Sequence, residues 1–151
     1  MSQRQIFIGC DHAGFTVKKA LLEPLAKQFP DITFDDLGTD SQDSVDYPTY
    51  AFKVARAVVK HKATGILICG SGIGVSIAAN KVRGVRAGVC SNSTDARLSR
   101  EHNDVNILCL GARTTGLEVL FDICATWIRT DFTGGRHQTR LDLLTQLEKG
   151  A

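Results

Sequence analysis

Five short apolar runs recur along the chain, each followed by a stretch with helical spacing, and this alternation constrains the fold more than any other feature. The runs "QIFIGC", "ITFDDLG", "TGILICG", "GVRAGVCS" and "NILCLG" are short, β-rich and bounded by turn residues, so they read as strands. "TGILICG" is unbroken by polar residues, the pattern of a strand buried on both faces. The intervening segments read as helices. "FTVKKALLEPLAKQF" sets Val17, Leu21, Leu25 and Phe29 at helical spacing, with Pro24 expected to kink or interrupt it. "DSVDYPTYAFKVARAVVKHK" opens with acidic residues and an early Pro48, a favourable helix entry. "GVSIAANKV", "STDARLSREH" with Ser93 or Thr94 as cap, "LEVLFDICATWIRT" and "QTRLDLLTQLEKG" complete the set. A strand–helix unit repeated along the chain with short connections predicts an α/β fold, with a five-stranded parallel sheet covered by helices on both faces.

The length of 151 residues suits one domain spanning residues 1–151, and no linker, repeat or low-complexity segment divides it. A net charge of +2 is too small to argue for nucleic acid or a membrane surface as partner. No apolar run approaches a membrane span, and the N-terminus lacks the long apolar segment of a signal peptide, so a cytoplasmic protein is expected. Five cysteines without a C-x-x-C do not make a disulfide framework, and no Cys/His pair has zinc-ligand spacing.

In open parallel sheets ligands sit at the carboxyl ends of the strands, which singles out Cys10-Asp11-His12, Cys69 to Gly74, Ser91-Asn92 and Gly111-Ala112-Arg113. In "CGSGIG", glycines at 70, 72 and 74 let the backbone turn tightly and present N–H groups before a helix. A thiol there is a base or nucleophile with a lowered pKa, or simply the end of a buried strand. The motif is neither a dinucleotide fingerprint, since Val75 replaces the third glycine, nor a P-loop. Asp11 and His12 offer a carboxylate beside an imidazole, although Asp11 also suits a helix cap. His102 and Asn103 end the fourth helix, as proton donor and hydroxyl-binding amide or as a dipole contact. Arg113, and Arg136 and Arg140 four residues apart after a Gly-Gly turn, point to phosphate. His61 reads as a solvated helix position.

Together, "GCDHAGF", "DYPTYAFKVA", "CGSGIGVSIAANKVRGVRA", "LSREHNDVNILCLG" and "GGRHQTR" closely resemble the type B ribose-5-phosphate isomerase family, which also holds isomerases of allose and galactose 6-phosphates. The resemblance runs from about Ile6 to Leu147. It implies a Rossmann-like three-layer αβα sandwich, a homodimer sometimes paired into a tetramer, and interconversion of ribose 5-phosphate and ribulose 5-phosphate without a metal or nucleotide cofactor. It implies Cys69 as the base moving a proton between C2 and C1, and His102 as the group that opens the furanose ring. Gly70, Ser71, Gly72, Ile73 and Gly74 form the loop for the enediolate oxygens, with Ser71 counted among the catalytic groups. Asp11, His12 and Asn103 bind the sugar, Arg113, Arg136 and Arg140 the phosphate end, and His137 adjoins them. The C-terminal helix, about residues 136–149, is expected to reach the partner subunit. Some members carry a glutamate just after the glycine loop instead of the cysteine; with Val75 and Cys69, this chain resembles the cysteine subgroup. A six-carbon substrate, a non-catalytic nucleotide-binding domain and a thiol redox enzyme built on Cys10 or Cys69 are the alternatives.

Overall fold

A computed structural model describes residues 3–150. The strands are β1 (Arg4–Cys10), β2 (Ile32–Asp36), β3 (Thr64–Cys69), β4 (Ala87–Val89) and β5 (Ile107–Gly111). The helices are α1 (Phe15–Gln28), α2 (Tyr47–His61), α3 (Ile73–Ala79), α4 (Ser93–Asn103), α5 (Leu117–Arg129) and α6 (Arg136–Gly150). All strand pairs are parallel, in the order β2-β1-β3-β5-β4. The α/β sandwich expected from the alternating pattern is therefore present.

Strand alternation sorts the apolar side chains into two layers. Ile6, Ile8 and Cys10 of β1, Ile66 and Ile68 of β3, and Leu108 and Leu110 of β5 pack with residues of α1 and α5, including Leu21, Leu25, Leu120 and Ile123. Phe7, Leu67, Cys69, Ile107 and Cys109 face the opposite way, against Ala51, Val54 and Val58 of α2 and Val75 and Ala79 of α3. Both faces are thus dry, which accounts for the unbroken apolar reading of β3 and β5.

Two glycines set how closely α2 sits on the sheet. A Cβ on Gly9 of β1 would lie 2.6 Å from Val54 Cγ2, and one on Gly65 of β3 would lie 2.8 Å from Val54 Cγ1 and 2.9 Å from Val58 Cγ2. Valines of α2 occupy the space a side chain would need, so the helix packs almost against the strand backbone.

Two local expectations are corrected. Helix α1 runs through Pro24 without interruption. The ring removes the donor for the Ala20 carbonyl and crowds it, but both Ala20 and Pro24 lie on the exposed side of the helix. Helix α4 is capped one residue earlier than expected: Asn92 Oδ1 accepts the Asp95 N–H at 2.8 Å, so Ser93 and Thr94 are already inside. Among the described residues no helix is long and apolar enough to cross a membrane.

Gly65→Ala should lower stability by about 1–3 kcal/mol, because α2 has to shift or rotate two valines to admit a methyl group. Urea denaturation followed by far-UV circular dichroism measures this, and an unchanged midpoint would show the helix-to-sheet contact to be looser than described.

Candidate active site

The loops after β1, β3 and β5 meet at one edge of the sheet. Their backbones are tied directly: Asp11 N–H donates to Ile68 O at 3.3 Å, Ala112 N–H to Cys69 O at 2.8 Å and Arg113 N–H to Gly70 O at 2.9 Å. A pocket of about 410 Å³ opens there, lined by Asp11, Tyr47, Cys69, Gly70, Ser71, Gly74, Arg113 and Thr114.

The thiol sits at the inner end of this pocket. Cys69 is 5% exposed, and its Sγ accepts the Gly72 N–H at 3.1 Å. That geometry needs Gly72 in the left-handed region, at φ 79°, where a side chain is strained, and a Cβ there would also lie 2.9 Å from the Leu110 carbonyl carbon. The next N–H, of Ile73, is taken by Ser71 Oγ at 3.2 Å. Gly74 lies so close to Tyr47 that a Cβ would stand 2.8 Å from its ring, so the tyrosine forms one wall of the pocket against bare backbone.

Asp11 is 7% exposed, and its Oδ1 accepts the N–H groups of Ala13 at 3.0 Å and Gly14 at 3.2 Å. The cap of α1 is Gly14 rather than Asp11 itself. The aspartate thus stabilises the turn into the helix through one oxygen, while its second has no protein donor among the described residues. His12 Nδ1 accepts the Val45 N–H at 3.1 Å. An accepting Nδ1 carries no proton, so in the neutral ring Nε2 is the donor, and this tautomer follows from the hydrogen-bond pattern.

The other expected residues lie elsewhere. Helix α4 starts beyond the carboxyl end of β4 and carries the chain back before β5 begins. Its last residue, Asn103, is beside Arg86, whose Nε donates to the Asn103 carbonyl at 3.0 Å, and Arg86 precedes β4. His102 and Asn103 are therefore at the amino edge of the sheet, about 16 Å from the start of their helix by its rise. Segment 130–135 returns to the same place: Thr133 N–H and Oγ1 both donate to the Glu101 carbonyl, at 3.2 and 2.7 Å. The turn at Gly134 and Gly135, both at positive φ, then starts α6. It stacks the His137 ring on His102, with centroids 4.3 Å apart, beside the exposed Arg136 and Arg140. Partial burial, and then the charges of His102, Arg136 and Arg140, push the His137 imidazole below its ordinary range.

One chain thus presents two half-sites on opposite edges: Asp11, His12, Cys69, Gly70–Gly74 and Arg113 on one, and His102, Asn103, Arg136, His137 and Arg140 on the other. Tyr47 and Thr114 are pocket residues that the sequence reading missed. Tyr47 stood in view in "DYPTYAFKVA", as the first residue of α2 with Pro48 next to it, and a helix entry next to a strand-end crevice was the available signal.

A family profile described as ribose/galactose isomerase matches residues 6–144. The chain belongs to the ribose/galactose isomerase family. It is 45% identical over 147 residues to the ribose-5-phosphate isomerase B of Escherichia coli (strain K12), covering 97% of each chain. Among solved structures, ribose-5-phosphate isomerase B of Clostridium thermocellum is 49% identical with a TM-score of 0.93, covering 97% of this chain and 98% of that one. The Mycoplasma genitalium enzyme, solved with bound ribulose 5-phosphate, is 39% identical with a TM-score of 0.94 over the whole of both chains.

The remaining cysteines do not compete with Cys69. Burial pushes Cys10 and Cys90 up to about 11 and Cys124 up to about 12, and it raises Cys109 well above the ordinary thiol range too. Cys10 faces the α1/α5 layer and Cys69 the α2/α3 layer, so the sheet separates the two thiols of the redox alternative. All five cysteines are free. At neutral pH iodoacetamide should alkylate Cys69 first and leave the other four intact in the folded protein. Peptide mass spectrometry reads this, and labelling spread evenly over five sites would contradict the pocket geometry.

Proposed function

We propose that this chain is an aldose–ketose isomerase that interconverts D-ribose 5-phosphate and D-ribulose 5-phosphate through an enediolate, a step of the non-oxidative pentose phosphate route in the cytoplasm. The observation that carries the proposal is the buried Cys69 thiol, held by the Gly72 N–H and lining a pocket together with Asp11 and Arg113. The names of the relatives and the bound ribulose 5-phosphate in one of them support the same reading.

The chemistry needs a base, a donor set for developing oxygen charge and an anchor for the far end of the substrate. Cys69 takes the proton from C2 of the open-chain aldose and returns it to C1. The electron pair moves into the C1–C2 bond and leaves negative charge on O1; the C2 hydroxyl proton passes to O1 as the C2 carbonyl forms and C1 takes its proton from Cys69. Those N–H groups of Gly70–Gly74 that Cys69 Sγ and Ser71 Oγ leave free, with the Ser71 hydroxyl, meet that oxygen. Asp11 and His12 hold hydroxyls, His12 through the proton its tautomer keeps on Nε2. The reaction needs no redox partner, because the oxidation at C2 balances the reduction at C1.

Ring opening is assigned to His102, a sugar hydroxyl to Asn103, and the phosphate end to Arg113, Arg136 and Arg140. All of these except Arg113 lie on the far edge, so we assign the complete site to two copies of the chain. Exposed apolar side chains flank each half: Ile73 (56% exposed) and Ile77 beside the Cys69 half, and Leu143, Leu144 and Leu147 (69%) on α6 beside the arginines. The short edge strand β4 and α6 also border a groove of about 670 Å³. A two-fold pairing that covers these residues makes both sites equivalent.

In a coupled assay without added metal, the protein should turn over ribose 5-phosphate faster than allose or galactose 6-phosphate. Cys69→Ala should cost about 10²–10⁴-fold in kcat while still binding ribose 5-phosphate. Near-normal turnover by that variant would remove the thiol from its role as base. For the two-copy site, Cys69→Ala and Arg140→Ala, each inactive alone, are unfolded and refolded together. Random pairing makes about half the dimers mixed, and a mixed dimer holds one site with both defects and one with neither, so roughly a quarter of all sites recover. No recovery, with mixed dimers confirmed by mass, would place Arg140 in the same chain as the Cys69 it serves.

A further inference from the structure

Lys18 is the largest fully buried side chain of the molecule, at 2% exposure, and the proposed chemistry gives it no task. A buried ammonium is costly unless its donors are used. Lys18 Nζ lies 2.9 Å from Asp36 Oδ1 and 2.8 Å from Oδ2, and it donates to the Thr39 carbonyl at 2.7 Å. The Phe15 ring stands 5.4 Å away. The carboxylate of Asp36 is half in water, at 41% exposure, but the Thr39 bond is buried.

Thr39 roots the segment 37–46 between β2 and α2. The segment begins as a continuation of the β1–β2 ladder, with Leu37 N–H on Ile8 O at 2.8 Å and Thr39 N–H on Cys10 O at 3.1 Å. It is tied once more to α1, by Gln42 Nε2 on Thr16 Oγ1 at 2.9 Å. At its far end Val45 supplies the N–H that His12 Nδ1 accepts, and Tyr47 follows as a wall of the pocket. The first of these ties leaves no room for error: a Cβ on Gly38 would lie 3.0 Å from Lys18 Nζ and 2.8 Å from the Cys10 nitrogen.

We infer that Lys18 is a positioning residue of the substrate site: through the Thr39 carbonyl it fixes segment 37–46, and that segment sets the His12 tautomer and the place of Tyr47. This rests on the isomerase reading for its kinetic consequence but not for its structural one. Without the ammonium, the Thr39 carbonyl loses its buried donor, the segment loosens, and the Val45 N–H no longer holds the proton of His12 on Nε2.

The test uses the full chain with Lys18→Met, which keeps the length and removes the donor, and Lys18→Gln, which keeps a donor but no charge. Two-bond ¹H–¹⁵N spectra at a pH above imidazole titration report the His12 tautomer. The wild type should show Nε2–H alone, Lys18→Met a mixture of both tautomers, and Lys18→Gln an intermediate pattern. In the coupled assay KM for ribose 5-phosphate should rise about 10-fold in Lys18→Met with a smaller change in kcat, the signature of lost binding contacts. A folded Lys18→Met with the wild-type His12 spectrum, or a Lys18→Gln no closer to wild type than Lys18→Met, overturns the inference. If Lys18→Met does not fold, Asp36→Asn, at a half-exposed position, should move the His12 spectrum in the same direction by less, and an unchanged spectrum there overturns it too. A wild-type protein inactive on every sugar phosphate would defeat the isomerase reading, while the His12 spectra would still decide this one.

Discussion

The carboxyl edge of the sheet depends on two backbones lying directly on each other. Gly72 follows β3 and Gly111 ends β5, and each lacks the side chain that would keep the other loop away. A Cβ on Gly111 would lie 2.8 Å from the Ser71 carbonyl oxygen and would overlap Thr114 Oγ1, just as one on Gly72 would meet the Leu110 carbonyl. Because the loops touch, Cys69 and Gly70 spend their carbonyls on the β5 side, at Ala112 and Arg113. That leaves the Gly72 N–H free to turn onto the thiol. The same contact brings Arg113 over Gly70, where a Cβ would stand 3.5 Å from its guanidinium. A single steric permission, at two positions, therefore sets the thiol, its hydrogen-bond donor and one cation into one pocket.

The cluster proposed for ring opening and phosphate binding is held by ordinary secondary-structure termini. Asp104 ends α4 in the left-handed conformation, at φ 42°. Its carboxylate is gripped by Arg86 at 3.0 Å and Arg100 at 2.8 Å. Arg100 also reaches the Val105 and Thr130 carbonyls. These bonds stop the helix immediately after His102 and Asn103 and hold segment 130–135 against it. The histidine stack and the arginines of α6 thus form a preassembled cationic unit. It is some distance from the thiol within one chain, and in the proposed pairing it is delivered as a rigid piece. On the proposed division, activity would depend on association, because a lone chain would keep Cys69 and Arg113 without Arg136 and Arg140.

Much of this was legible in the residues. The five strands, the sides of the sheet and the strand-end loops follow from periodicity, because a dry sheet face leaves an unbroken apolar run and a helix leaves a 3.6-residue one. The exceptions share a cause: each turned on where a neighbour stands, which spacing does not encode. Asn92 took the cap from Ser93 and Thr94 because the turn out of β4 aims its amide, not their hydroxyls, at the Asp95 N–H. Pro24 sits at an exposed position of an uninterrupted α1, which spacing does not show. Tyr47 matters because Gly74 admits its ring. His102 follows the fourth strand and helix in sequence, yet the length of α4 carries it to the far edge. Lys18 has the composition of a surface lysine and the burial of a core leucine.

Val75 shows why the identity of the base and the packing beneath it belong together. It is 0% exposed, in the first turn of α3, and it shares the α2/α3 layer with Cys69, Val54 and Val58. A thiol tolerates such surroundings, since a neutral cysteine behaves as a small apolar side chain. A carboxylate at position 75 would enter the same dry layer, where burial raises its pKa and an unpaired charge is costly. It could serve as a base only if the loop and α2 opened a route from that layer into the pocket. With Val75 closing the dry layer and the Gly72 N–H held on Sγ, the packing of this chain favours the proposed base at position 69 over one at position 75.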